Sequence, residues 1–228
     1  MNYNKLVMLN PTPKQHEELV PGFNYPIKSR IKLARPENNA ADFFELIRQR
    51  SSIRTFKKLK PGDLDQLLWY SAKAFSVDIN DRGYILSHRP VPSAGARHPI
   101  DILVCLDVSR PVLHYYDPFT HALGQLDLDE PIVQGFLMHV QQNLPVMEGV
   151  LLWLIAHPAR TEAKYENAES LVWRDAGALI QQIQLTATAL GLGSCPIGTL
   201  GVPFEQQLFG NIGRTIAAGG IVVGNLEL

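Results

Sequence analysis

Thiols are scarce in this chain: 228 residues carry only Cys105 and Cys195, too far apart in sequence for a CxxC pair or a zinc-type spacing. The seven histidines form neither HxH nor HExxH, so no metal site is expected. Charge of one sign is lacking as well. Lys and Arg number 21 against 22 Asp and Glu, and the net charge of −1 sets aside a general nucleic-acid binder, which would carry a basic excess. No basic segment followed by an apolar stretch opens the chain. The longest apolar run, around residues 150–156, is far short of the roughly 20 residues a membrane helix needs. A cytoplasmic protein is the expectation. What is present is an apolar content of 46%, ample for a core.

Organisation follows from periodicity. Residues 1–38 hold five prolines and little pattern, and read as an N-terminal arm that must pack on something to be ordered. Residues 39–228 read as one domain. Phe43, Leu46 and Ile47 have helical spacing. In "KPGDLDQLLWYSAKAF", Leu64, Leu67, Leu68, Ala72 and Phe75 form one stripe, with Asp63 placed to cap it. A loop is expected over residues 76–99. "IDILVCLD" and "VLLWLIAH" read as buried strands, and "VLHYYDPFTHALGQLDL" as a hairpin turning near residues 117–121. "PIVQGFLMHVQQ" reads as a helix. A longer helix over residues 167–190 carries Val172, Ala176, Leu179, Ile180, Ile183, Ala187 and Leu190 on one face and ends at Gly191. "GIVVG" is a last short strand. Helices and strands mix without strict alternation, so the fold class is α+β.

Three loops draw attention. "GLGSCPIGTLG" fails as a dinucleotide fingerprint: Pro196 stands where GxGxxG needs glycine, and the loop follows a helix instead of a strand. Its glycines still let backbone approach a flat ligand. "RPVPSAGARHP" sets small residues between prolines. "RQRSSIRTF" gathers cations and hydroxyls: Arg50 and Arg54 suit bidentate pairing with phosphate, and Ser51 and Ser52 add donors. Taken singly, each has an ordinary explanation as a capped helix end, a surface turn or a solvated helix terminus.

In order, the pieces "IKLARPE", "IRQRSSIRTF", "LDQLLWYSAKAF", "RPVPSAGARHPIDILV", "YYDPFTHALGQL" and "DAGALIQQIQLTATALGLGSCPIG" resemble the nitroreductase-like FMN flavoproteins. The SagB-type branch, which includes azoline oxidases, is the most similar. The resemblance implies a central, mostly antiparallel sheet flanked by helices in an intertwined homodimer with two flavins at the interface. It implies that Arg50, Ser51, Ser52 and Arg54 hold the FMN phosphate and ribityl chain. Residues Pro92, Ser93, Ala94 and Gly95 would reach the flavin from the partner subunit. Pro196, Ile197, Gly198 and Thr199 would set backbone N–H groups at the N5 and O4 edge, where reduction places negative charge. The small residues Ala176, Gly177 and Ala178 would suit close helix contact.

The resemblance also implies where this chain departs. The family places one more basic residue near the C-terminus against the phosphate; here either Arg214 stands in for it or the phosphate is held more weakly. Lys164 and Tyr165 match a pair that, in the azoline oxidases, removes a proton while hydride passes to flavin. A small-molecule or peptide substrate is implied, with NAD(P)H or oxygen as the flavin's redox partner. The alternative is a catalytically degenerate flavin-fold protein serving as a binding or scaffold partner.

Overall fold

The run VLLWLIA is buried at every residue and forms the strand around which the chain is laid out. The structure is a computed structural model describing residues 9–37, 41–144 and 148–227. Residues 1–8 and 38 of the expected arm, and residues 39 and 228 at the two ends of the expected domain, lie outside the described residues. In chain order the elements are β1 (Thr12–Pro13), β2 (Ile27–Lys32), α1 (Phe43–Gln49), α2 (Asp63–Ala72), β3 (Ser76–Ile79) and β4 (Ile85–His88). There follow a 3-10 turn (Ala94–Ala96), β5 (Ile100–Cys105), β6 (His114–Asp117), β7 (Ala122–Leu126), α3 (Glu130–Asn143), β8 (Val150–Ala156) and α4 (Pro158–Glu162). The chain then runs through β9 (Tyr165–Glu166), α5 (Glu169–Ala189), β10 (Leu192–Ile197), α6 (Phe204–Phe209) and β11 (Ile216–Asn225).

Seven strands form one sheet in the order β10-β11-β8-β5-β6-β7-β2, with every pairing antiparallel. The expected α+β class with a central antiparallel sheet flanked by helices is therefore found. Alternate residues of a strand point to opposite faces, and the two cores follow that rule. Ile102, Val104, Leu152 and Leu154 pack with α2 and α5 through Leu67, Leu68, Val172, Leu179 and Ile183. Leu103, Cys105, Leu151, Trp153 and Ile155 pack with α3 and α6 through Val133, Phe136, Val140, Leu208 and Phe209. Trp153 stacks on Phe136 with centroids 4.0 Å apart and donates its indole N–H to the Leu200 carbonyl at 2.7 Å.

Four local expectations are corrected. Residues 76–99 are not all loop: β3 and β4 form a hairpin, closed where the Asn80 side chain accepts the Arg82 and Tyr84 N–H groups and Gly83 takes φ +79°. Residues 191–201 are not a ligand loop throughout. Leu192–Ile197 is a strand, because β11 offers it six paired positions and Gly193 lets Ile53 and Leu226 press against its backbone. The last strand has ten residues, doubled in length by an irregularity between Ala217 and Gly220 that lets it follow β8. Asp63 does not cap α2 from outside. Gly62 takes the cap position in the left-handed region, and the Asp63 carboxylate accepts from the Lys60 N–H at 2.7 Å. The arm is drawn onto the same fold: β2 pairs with β7 at the sheet edge, and β1 pairs with β9.

A buried polar cluster ties β5 to the chain after β8. Asp101 accepts two N–H bonds from Arg160 at 2.7 and 2.9 Å, and His157 Nε2 lies 3.0 Å from its other side. Tyr25 reaches the same His157 nitrogen at 2.9 Å. Burial alone would raise the Asp101 carboxyl, but the Arg160 charge, then His157 and the hydrogen bonds, overcome it and hold the group well below the usual carboxylate range. A carboxyl whose folded pKa is depressed stabilises above its unfolded value and loses that contribution as pH falls. The Asp101 contribution is thus expected in full above about pH 5 and to fade as acid takes the protein below its ordinary value of 3.8. Asp101→Asn, which strands the buried Arg160 charge, should cost about 3–5 kcal/mol in urea unfolding at neutral pH and flatten the acid limb of stability against pH. An unchanged midpoint would show that the pair does not hold the fold.

Candidate functional site

The polar residues singled out in the sequence fall into two groups. The first is built where α1 ends. Arg50 caps that helix by donating its backbone N–H to the Leu46 carbonyl, and the chain then turns extended against β10, with the Ile53 N–H on the Ser194 carbonyl at 2.9 Å. Ser51, Ser52 and Arg54 are exposed and Arg50 is half-buried. Within this group of four, neither guanidinium has an ion-pair or hydrogen-bond partner among the described residues. The neighbouring Arg48 does pair, with Glu45 at 3.0 Å. β10 then delivers Pro196 and Ile197 to the strand end, and Gly198 follows in open space, where an added Cβ would meet nothing within 4 Å. Thr199 is buried with its hydroxyl unpartnered. Gly198 and Thr199 line a cleft of about 860 Å³ with His139, Asn143 and the chain at residues 200–202.

The second group lies at the start of α5. Ser93 donates to Asp175 at 2.5 Å and accepts the His98 N–H at 2.8 Å, which fixes the 92–95 turn to the helix. Burial raises the Asp175 pKa, and the bonds from Ser93 and the Ala94 N–H act against that rise. Gly95 takes φ +61°, and a Cβ there would stand 2.8 Å from Lys164 Cδ, 3.0 Å from its Nζ and 3.1 Å from the Tyr165 hydroxyl. The two sequence-distant motifs 92–95 and 164–165 are thus in contact within one chain. The arm fixes the second motif from behind, with the Lys14 N–H on the Lys164 carbonyl at 2.8 Å and Pro13 paired with Tyr165.

The arginine segment 50–54 of the first group does not meet the second group in one chain, whereas β10 runs on from it and carries Ile197 level with Trp153. Ser194 is level with Val223 and through it with Val150, the first residue of β8. Pro99 bonds His157, just past the last residue of β8. Six residues of strand separate these levels, roughly 20 Å. Arg214 joins neither group's cations: it forms two bonds with Glu162, at 3.0 and 2.8 Å, on the Lys164 side. Sequence reasoning missed Asp175, which anchors Ser93. The signal was available, because a carboxylate between Val172 and Ala176 sits on the buried face of α5.

Compared with known proteins, the chain matches the Nitroreductase family over residues 47–209. That span is well over half its length, and the chain belongs to this family, whose members in general are oxidoreductases that bind FMN and use NAD(P)H. Among its relatives is MJ1384 of Methanocaldococcus jannaschii, by name a nitroreductase. It is 26% identical over 174 residues, which is 74% of this chain and 84% of that one. A Ralstonia eutropha JMP134 structure, also named as a nitroreductase, shares the fold with a TM-score of 0.63 and 18% identity, over 96% of this chain and 100% of that chain. A chain of the Escherichia coli microcin synthetase McbBCD complex aligns with a TM-score of 0.56 and 17% identity, over 86% of this chain and 78% of its own.

Cations that no part of the chain uses should be dispensable to the fold. Arg50→Ala combined with Arg54→Ala is expected to move the stability of the flavin-free protein by no more than about 0.5 kcal/mol in urea unfolding. A loss beyond about 1 kcal/mol would mean that these residues hold the structure and are not kept for a ligand.

Proposed function

We propose that the protein is an FMN-dependent oxidoreductase of the SagB-type branch, passing hydride between a small-molecule or peptide substrate and flavin. The observation that carries this reading is the pair Arg50 and Arg54: two guanidiniums without partners, beside two serine hydroxyls and a strand end that leaves Gly198 open. That donor set fits a phosphate and a polyol chain. Arg50 and Arg54 hold the phosphate, Ser51 and Ser52 the ribityl hydroxyls. The backbone N–H groups of residues 198 and 199, just past the end of β10, would be available to the ring edge where negative charge grows on reduction. When bound, FMN supplies the two-electron acceptor that no side chain provides.

The separation of residues 50–54 from residues 92–95 supports a homodimer, in which residues 92–95 and the Lys164–Tyr165 pair of one chain complete the site built by residues 50–54 and 196–199 of its partner. The open space at Gly177 on α5 suits that close contact. Lys164 or Tyr165 would take up the proton that the substrate loses as its hydride is passed to the bound flavin, and Gly95 gives that end of the lysine room to approach. The fold shared with a chain of McbBCD, whose structure carries truncated pro-MccB17, keeps a peptide substrate in view beside a small molecule.

Purified protein incubated with FMN should show a bound-flavin visible spectrum, and the Arg50→Ala, Arg54→Ala double variant should lose it. Each charge-assisted phosphate contact is worth about 1.5–3 kcal/mol, so two removals weaken binding by at least a hundredfold. Stoichiometric flavin in the double variant would refute the phosphate assignment. One observation favours the scaffold reading, namely that Glu162 holds Arg214. Rapid bleaching of bound flavin by NADH, NADPH or substrate would eliminate a scaffold without turnover.

Lys164→Ala should leave the flavin spectrum intact and slow substrate-driven flavin reduction by about 10²–10⁴-fold. Flavin loss in that variant would place the lysine at the cofactor and not at the substrate.

A further inference from the structure

A second cleft, of about 840 Å³, opens between the arm at residues 19–22, the β3–β4 hairpin and residues 96–98. Its walls include Phe119, Tyr84 and Tyr115. Each carboxylate at this cleft already faces a guanidinium: Asp101 is taken by Arg160, and Glu17 lies against Arg97. Arg89 is left over. Its Nε donates to Ser87 Oγ at 3.0 Å and its guanidinium stands 5.4 Å from the Phe119 ring centroid. It lines the cleft, and among the described residues no carboxylate forms an ion pair with it and no acceptor is bonded to its two terminal nitrogens, although the charge of Asp101 lies near enough to favour its own.

Burial lowers the Arg89 pKa; the nearby Asp101 charge acts against that fall and the Arg160 charge adds to it. His98 adds no charge at neutral pH, because burial and then the Arg89 charge push it down to about 4. Two further donors converge. The hydroxyls of Tyr84 and Tyr115 have no hydrogen-bond partner among the described residues, although Tyr115 is held in place by stacking on Tyr25 at 4.7 Å. A cleft with one uncompensated guanidinium, two free phenols and aromatic walls wants one negative charge on a partly apolar body.

We infer that this cleft binds a small organic carboxylate, its two oxygens on the Arg89 fork and the Tyr84 and Tyr115 hydroxyls, its body against Phe119 and the arm. The planar fork matches a carboxylate. A phosphate dianion would bring a second negative charge towards Asp101 with no cation left to meet it.

Calorimetric titration of the full-length chain with benzoate, benzamide and inorganic phosphate tests this and needs no flavin, so its outcome is separate from the spectral test above. Benzoate should bind with a dissociation constant of about 1 mM or tighter. Benzamide, the neutral isostere, should bind at least about tenfold more weakly, and phosphate no more tightly than benzoate. Arg89→Gln should weaken benzoate about ten- to hundredfold. Tyr115→Phe keeps the stacked ring, guards against a folding defect in the arginine variant, and should weaken benzoate severalfold. Equal affinity for benzoate and benzamide, phosphate binding tighter than benzoate, no benzoate binding in the millimolar range, or wild-type affinity in both variants would each overturn the assignment.

Discussion

A strand with no exposed residue has to be paired on both edges and covered on both faces, and β8 imposes that condition on everything else. Its edges are met by β5 and β11. Its faces demand two separate helical layers, one supplied by α2 and α5, the other by α3 and α6. Because successive side chains alternate, Leu152 and Leu154 cannot share a core with Leu151 and Trp153, and the sequence must provide amphipathic helices for each. The long helix α5 is the larger of these answers. Asp175 near its start anchors Ser93, and β10 leaves its other end beside the arginine segment, so the distance between residues 50–54 and 92–95 follows from the strand beneath it.

Periodicity made most of this legible. β8 and β5 announce themselves as unbroken apolar runs, and the stripe from Val172 to Ala187 marks the buried face of α5. What was not legible depended on partners distant in sequence. The segment 192–197 holds two residues, Gly193 and Pro196, that read locally as loop, and it becomes a strand only because β11 lies beside it and because glycine tolerates the close approach of Ile53. The β3–β4 hairpin was obscured for a different reason. Its apolar residues Val77, Ile79 and Ile85 are exposed, so they serve no core that a pattern could reveal, and the alternation was hidden among turn residues.

The candidate site was legible as residue types but not as geometry. The concentration of arginine and serine at 50–54 is visible in one dimension. That Arg50 and Arg54 lack partners while Arg48 has one is not, because it depends on where Glu45 sits on the preceding turn. The contact between Gly95 and Lys164 joins loops about seventy residues apart, through a hand of backbone, φ +61°, that sequence does not print. Asp175 is the intermediate case: a charge on an apolar helical face is a readable anomaly, and its partner Ser93 explains it.

Unmatched charge is the thread between the two sites. A folded chain that buries or half-buries cations normally answers each with a carboxylate, as this one does with Asp101 for Arg160 and Glu17 for Arg97. The exceptions are informative because desolvating an unpaired cation costs free energy that the fold gains nothing by accepting. Arg50 and Arg54 escape most of that cost by standing near solvent, which suits a ligand that arrives and stays through its phosphate. Arg89 does not escape it: no carboxylate among the described residues forms an ion pair with it, and the nearby Asp101, already held by Arg160, offsets the cost only in part. The two candidate anion sites are thus of unlike depth, one shallow with two cations, the other recessed with Arg89, and the difference in depth sets which kind of ligand each would suit.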